Sequence, residues 1–131
     1  MKKYIVGITA GMLVVALAAC TPEEVAEDSG PSQEFLTMQA RLQGQKDLPK
    51  EALDDDLVYF AMDTGKSICI RAQEVGIIKA VEENASRSTE RNSGYKGDAP
   101  FFDMDQVMVE ALAANSGIET YCPEMLRAAG Y

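Results

Sequence analysis

The chain opens with a basic and then strongly apolar segment, and this segment restricts the folded domain to the residues after it. Lys2 and Lys3 precede an almost unbroken apolar run over residues 4–17. The run is about 14 residues long, whereas a helix that crosses a bilayer needs about 20. A positive start, a short apolar run and small residues before Cys20 are typical of a secretory signal peptide. We therefore expect residues 1–19 to be cleaved off.

The apolar run ends in Leu17-Ala18-Ala19-Cys20, which resembles the lipobox of bacterial lipoproteins. The resemblance implies cleavage before Cys20 and a diacylglycerol thioether on Cys20. The mature chain is then expected to be anchored to the cell membrane by that lipid, facing the extracytoplasmic side. The alternative is an ordinary signal peptide or an uncleaved anchor, with Cys20 incidental. Residues 20–31 are rich in Glu, Asp, Ser, Gly and Pro and are predicted to form a flexible acidic tether.

Removal of the signal peptide makes the chain more acidic. All 21 acidic residues lie after Cys20, and Lys2 and Lys3 are two of the 12 basic residues, so the mature chain has a net charge of −11. Nucleic-acid binding is disfavoured because it needs clustered Lys and Arg. Bacterial membrane surfaces are also largely anionic, so the domain is expected to be held at the membrane by its lipid and repelled from it by its own charge.

With Cys20 assigned to lipid, Cys69 and Cys122 remain, and an exported protein meets an oxidising compartment. A Cys69–Cys122 disulfide is predicted, and its loop entropy contributes about 4 kcal/mol to stability. The alternatives are a reactive thiol pair or a metal site. Both are less favoured because neither cysteine belongs to a CxxC motif or lies beside a histidine.

The rest of the chain, residues 32–131, is predicted to be an all-α domain of four helices stapled by that one disulfide. Apolar residues recur at helical spacing in four segments, residues 32–43, 54–73, 75–86 and 103–122. Gly65 inside the second segment suggests a close helix–helix contact. Residues 87–100 are polar and contain glycine, and they are predicted to form a mobile surface loop.

All four predicted helices carry apolar stripes, which we expect to face the core. The stripe of the third helix comprises Val75, Ile78, Val81 and Ala85, and that of the last comprises Val107, Ala111, Ala114, Ile118 and Cys122. The last helix also has a predicted capping box, with Asp103 as N-cap and Gln106 three residues later. Phe102 is positioned to pack on Val107, and Pro123 is expected to mark the helix end.

Three short motifs resemble a family of small exported actinobacterial proteins, domain of unknown function 732 (DUF-732). They are Phe35-Leu36 followed by Gly44, the segment from Gly65 to Cys69 with the pattern G-x-x-I-C, and the Y-C-P sequence that begins at Tyr121. The similarity covers roughly residues 32–126. It implies a compact helical domain with the two cysteines bonded, and it implies no activity. The connection from Gly44 to Leu57 and the 87–100 loop are longer than the family's usual spacing.

The absence of histidine restricts the catalytic and metal-binding chemistry. It excludes Ser-His-Asp and Cys-His catalysis and every His-containing zinc site. Carboxylates remain, in the Asp54-Asp55-Asp56 run and in Asp103 and Asp105. Both groups lie at predicted helix starts, where Asp caps the helix and complements its dipole, so this role is favoured over an acid/base pair or a calcium site. We predict no catalytic residue, no metal and no cofactor.

Tyr95, Phe101 and Phe102 cluster around the predicted loop, either as a recognition patch or as a lid over the core, and the lid is the favoured interpretation. The leading hypothesis is a non-enzymatic, lipid-anchored module that binds another envelope component, a protein or a lipid. The first alternative is a carrier of a small apolar or lipid ligand, since the chain has seven Met residues and several apolar stripes. The second alternative is a hydrolase that uses paired Asp residues.

Overall fold

A computed structural model describes residues 30–131 of the chain. The predicted signal peptide, Cys20 and all but the last two residues of the predicted tether lie outside this range. The described part is mostly helical, with five α-helices, one 3-10 turn at Lys50–Ala52 and one β-hairpin. The helices are α1 (Gln33–Gln43), α2 (Asp55–Val75), α3 (Ile77–Arg91), α4 (Met104–Tyr121) and α5 (Pro123–Ala128), and the strands are β1 (Ser93–Lys96) and β2 (Ala99–Phe102).

Two parts of the predicted all-α architecture were wrong. The segment predicted as a loop, residues 87–100, instead completes α3 to Arg91 and then forms β1 and the first half of β2. The strands are only four residues long, which is too short for period-two alternation to be recognised. Pro123 does end α4, but it also begins a fifth helix, because proline at the first helical position needs no backbone hydrogen bond.

The central contact of the domain is the crossing of α2 and α4 at two glycines. A Cβ atom on Gly65 would lie 2.5 Å from the Cα of Gly117, and one on Gly117 would lie 2.3 Å from the carbonyl oxygen of Ala61. The two backbones therefore touch directly, which confirms the close contact predicted at Gly65. Neither helix can carry a larger residue here unless the helices separate.

Apolar residues pack on both sides of this crossing. One cluster joins α1, α2 and α4 and includes Met38, Leu42, Val58 and Ala113, all almost completely buried. The other joins α2, α3 and α4 around Ile68, Ala80 and Ile118. Ser116 is fully buried between them and is satisfied, since its hydroxyl accepts a hydrogen bond of 2.8 Å from the Gln45 amide.

The disulfide joins Cys69 of α2 to Cys122, the residue between α4 and α5, as expected. The two residues are 53 positions apart in the sequence. Both are buried within the second apolar cluster. The bond therefore locks the junction of α4 and α5 onto α2, and it restricts the unfolded chain far more than the folded one.

Helix α1 is attached to this core by a polar contact as well as by its apolar face. Glu34 accepts hydrogen bonds from the Lys66 ammonium group and from the Tyr121 hydroxyl. The Lys66 nitrogen also lies 5.2 Å from the centre of the Tyr121 ring. Burial and the hydrogen bond to Glu34 raise the pKa of Tyr121, so the hydroxyl keeps its proton and remains a donor.

The prediction of which α3 residues face the core was wrong, because the buried positions are shifted by about one residue from the predicted stripe. Its buried positions are Ile77, Ala80 and Ser88, whereas Ile78 is 52% exposed. The stripe predicted on α4 is also only partly buried, since Ala114 and Ile118 lie in the core but Ala111 is exposed. Both helices are rotated so that part of each stripe lines a surface groove between them.

We expect Gly65→Ala to destabilise the domain by about 3 kcal/mol, because the added methyl group meets backbone atoms that cannot move aside. Chemical denaturation followed by circular dichroism measures this loss. Gly44→Ala is the matched control. A Cβ there meets only ordinary contacts, the nearest at 3.4 Å, so stability should change by less than about 1 kcal/mol. Equal effects of the two substitutions would contradict the close-crossing interpretation.

Candidate functional site

The β-hairpin carries the three aromatic residues predicted as a patch or lid, and it separates them. Tyr95 lies opposite Pro100, and Ser93 lies opposite Phe102, so Tyr95 and Phe102 share one face. Phe101 lies opposite Gly94 on the other face, where the Lys96 ammonium group is 5.1 Å from the centre of its ring. The hairpin thus has an aromatic side chain on each face.

All three aromatic side chains are exposed. Tyr95 is 74% exposed, Phe102 46% and Phe101 37%, and none belongs to either core cluster. The lid interpretation was therefore wrong. The exposed apolar surface continues into the first turns of α4, where Met104 and Met108 are also more than half exposed.

The two edges of the hairpin differ in their capacity to accept another strand. The amide of Asp103 donates to the carbonyl of Asn92 at 2.8 Å, so these two residues form a hydrogen-bonded pair. Hydrogen-bonded and non-hydrogen-bonded pairs alternate along an antiparallel ladder, so Ser93–Phe102 and Tyr95–Pro100 are non-hydrogen-bonded pairs. The backbone groups of Ser93 and Tyr95 then point away from β2. Pro100 has no amide hydrogen, which blocks the other edge. The edge of β1 is the one able to pair with another strand.

A buried carboxylate holds the base of the hairpin in place. Glu110 of α4 is 6% exposed, and it accepts hydrogen bonds from Arg91, from Asn92 at 2.7 Å, from Ser88 at 3.1 Å and from Gln106 at 3.3 Å. Asn92 is the residue immediately before β1, and its side chain also donates to the Ser88 carbonyl at 2.8 Å. The direction in which the hairpin leaves α3 is therefore set by this network.

The donors around Glu110 keep it ionised. Burial by itself raises the pKa of Glu110, but the hydrogen bonds from Arg91, Asn92, Ser88 and Gln106 more than offset that effect, so the pKa lies below its ordinary value. Arg91 is also 5.8 Å from the centre of the Phe60 ring, which fixes the guanidinium group against α2. The network ties α4 to α3 and to the start of the hairpin, since Ser88 and Arg91 lie on α3 and Asn92 directly precedes β1.

Sequence reasoning did not identify Glu110, Arg91 or Asn92. The available signal was a glutamate inside the last predicted helix, four residues after Gln106, between the apolar residues Val109 and Ala111. A single charge in such a position is usually a solvated residue at the edge of an apolar face. Only the packing of the end of α3 against α4 shows that this carboxylate is buried.

The acidic residues proposed as alternatives for catalysis line two neighbouring hollows beside the hairpin base. Asp103 and Asp105 line one hollow with Asp47 and Glu51, and Asp54 and Asp56 line the next. Asp54 accepts a hydrogen bond from the amide of Leu57 at 2.8 Å, and Asp103 accepts one from the amide of Gln106 at 3.0 Å. Both therefore cap helices, as predicted.

The reciprocal half of the predicted capping box is absent at Asp103. The Gln106 side chain donates to Glu110 instead of to the backbone of the N-cap residue. Within residues 30–131, no three His, Cys, Asp or Glu side chains are grouped closely enough to hold a metal ion.

The methionines proposed to line a ligand cavity are dispersed. Met38 and Met62 are core residues, Met104 and Met108 are exposed beside the hairpin, and Met125 packs at the edge of the second cluster. None of the helices in the described part is long and apolar enough to span a membrane.

Three of the residues behind the DUF-732 resemblance, Gly65, Cys69 and Tyr121, hold the helices together in this structure. Gly65 contacts Gly117, Cys69 bonds to Cys122, and Tyr121 holds α1 through Glu34. They mark the framework of the domain and lie apart from the hairpin. Comparison of the chain with protein-family models, with curated proteins and with solved structures finds no match.

We expect Glu110→Gln to destabilise the domain by about 2 kcal/mol at neutral pH, since the donors around it lose a charged acceptor. The pKa of Glu110 is lower when folded, so its stabilisation is present above about pH 4.5 and is lost as the pH falls through the folded-state pKa. The variant should therefore lose less stability than the natural protein between about pH 5 and pH 3.

The same comparison has a local measurement and a control. Hydrogen exchange of the Gly94 and Phe101 amides should accelerate in Glu110→Gln, because the base of the hairpin is released. Glu119→Gln is the control, since Glu119 is exposed and 3.8 Å from Arg41, and it should change stability by less than about 1 kcal/mol. Unchanged exchange in the hairpin would refute the anchoring role of Glu110.

Proposed function

We propose that this chain is a lipid-anchored cell-envelope protein whose helical domain presents the β-hairpin to another envelope protein. The observation that carries this proposal is the exposure of Tyr95, Phe101 and Phe102 on both faces of a two-stranded ribbon. An isolated two-stranded hairpin is marginally stable in water. A ribbon that buries neither face against its own domain is therefore suited to being covered by a partner.

The Glu110 network supports this proposal because it orients the hairpin before any partner binds. A preorganised surface loses less conformational entropy on association than a mobile loop. Tyr and Phe are also the residue types enriched at the centres of interfaces, and Met adapts to irregular surfaces. The open edge at Ser93 and Tyr95 adds main-chain groups that an extended partner segment can pair with.

The charge of the domain favours a basic partner. Four carboxylates, those of Asp47, Glu51, Asp103 and Asp105, line the hollow that also includes Met108. None of the ion pairs within the described residues involves these four side chains. A partner with Lys or Arg beside an apolar segment would be attracted to these carboxylates. The charge pairs would also align its apolar segment with the exposed apolar surface of the hairpin.

Membrane attachment through Cys20 is the part of the proposal that rests on the lipobox resemblance. Cys20→Ala should remove metabolic labelling by palmitate and shift the protein from the membrane fraction to the soluble fraction or to an uncleaved precursor. Cys69→Ala/Cys122→Ala is the control, because those thiols are bonded to each other and should not be lipidated. Palmitate labelling that persists in Cys20→Ala would overturn the anchor.

The hairpin interface is tested by photocrosslinking in native membranes. A photoreactive phenylalanine analogue in place of Tyr95 should give a discrete crosslinked product, and the same analogue in place of Ile70, which is 65% exposed on α2, should not. With the analogue at position 101, on the opposite face, Tyr95→Ala/Phe102→Ala should reduce crosslinking about tenfold, because about 1.4 kcal/mol is lost. Equal crosslinking from positions 95 and 70 would contradict the proposal.

A further inference from the structure

An open apolar groove runs between α3 and α4, away from the hairpin surface. Its wide part has a volume of about 360 Å³ and is walled by Ile77, Ile78, Val81, Ile118 and Leu126. A narrower part of about 90 Å³ continues from it and shares Val81 and Ile118. The wide part alone reaches the size range of small-molecule binding sites, about 300–1,000 Å³.

The groove exists because two apolar stripes face one another without filling the space between them. Val81 and Ala85 of α3 lie across from Val107, Ala111 and Ala114 of α4, and all of them line the narrow part. Their spacing is that of core-facing residues, yet Ala85 and Ala111 are exposed. At the wide end, Ile78 is 52% exposed and Tyr131 is 80% exposed. An apolar ligand that covers this surface removes it from water, and this burial contributes favourably to the free energy of binding.

The two charged side chains that line the groove are both carboxylates, and Lys79 lies outside it, in the adjoining hollow that shares Ile78 and Glu82. Glu82 and Glu119 line the wide part, and neither part is lined by Lys or Arg. Glu119 has a weak, exposed partner in Arg41 at 3.8 Å, whereas none of the ion pairs in the described part of the chain includes Glu82. The narrow part has only uncharged polar side chains, among them Asn84, Ser88 and Thr89. The wide end is therefore the charged end.

We propose that the groove binds a single-chain amphiphile with a cationic head group. Its alkyl chain lies along Val81, Ala85 and Ala111, and its head group lies at the wide end beside Glu82 and Glu119. The groove runs from Ile78 to Thr89, about 16 Å at the rise of an α-helix, which suits one extended alkyl chain of medium length. The Tyr131 ring supplies an aromatic face for the cation.

Carboxylates at the wide end select against anionic amphiphiles, such as fatty acids and the acidic lipids of bacterial membranes. Each exposed carboxylate contributes a fraction of a kcal/mol to that preference, so two together favour a cation over an anion by about fivefold. No residue lining the groove belongs to the hairpin, although Ser88 lines the narrow end and also donates to Glu110 at the hairpin base.

The test uses the intact protein in envelope membranes and photoreactive dodecyl probes, with trimethylammonium, carboxylate or uncharged sugar head groups. The ammonium probe should label residues of the groove, as mapped by mass spectrometry of the digested protein. It should label them about fivefold more than the carboxylate probe at equal concentration, with the sugar probe between them. Equal labelling by the carboxylate probe, or adducts confined to other surfaces, would overturn the proposal.

Two sets of variants complete the experiment. Ala85→Trp/Ala111→Trp fills the narrow part and should lower labelling by the ammonium probe about tenfold, whereas Ala40→Trp, at an exposed alanine of α1, should not. Glu82→Gln/Glu119→Gln should abolish the preference for the cation, whereas Glu51→Gln/Glu90→Gln makes the same change in net charge and should retain it.

Thermal unfolding of each variant separates loss of binding from loss of fold. If the tryptophan pair does not fold, the glutamine pair still decides the proposal. A cation preference retained in Glu82→Gln/Glu119→Gln would overturn it.

Discussion

The crossing of α2 and α4 at Gly65 and Gly117 is the contact on which the rest of the domain depends. Because these backbones touch, the two helices lie close enough for α1 to pack against one side of the pair and for α3 to pack against the other. The Cys69–Cys122 bond lies beyond the crossing, in the second cluster. It holds the same two helices together, so the disulfide and the close glycine crossing both constrain the α2–α4 pair.

The two surface features with the strongest claim to function are both consequences of how α3 packs on this pair. At its end, α3 delivers Arg91 and Asn92 to the buried Glu110, and this contact orients the hairpin. Along its length, α3 lies so that Ile78 and Ala85 are exposed beside a groove, while Val81 lines the groove and also packs on the second cluster. The proposed protein interface and the proposed amphiphile site thus use different parts of the same helix and meet at Ser88, which lines the groove and donates to Glu110.

The parts of the fold that could be predicted from sequence are those that local patterns determine. Helical spacing located α1, α2 and α4, the helix caps at Asp54 and Asp103 followed from residue type, and Gly65 signalled the close crossing. The hairpin could not be predicted, because strands of four residues have no readable period. The buried role of Glu110 could not be predicted either, since its four donors come from the end of α3 and from α4.

The sequence by itself determined the helical character of the domain and the pairing of Cys69 with Cys122, because these depend on local pattern and on elimination, and lipid attachment at Cys20 stays a prediction. It also determined which residues are apolar, but not which of them are covered. Only the tertiary structure decided that Tyr95 and Phe102 are exposed on one face of a ribbon and that Ile78 opens onto a groove. Exposure depends on which helix faces meet, and that is set by close packing between segments far apart in the chain.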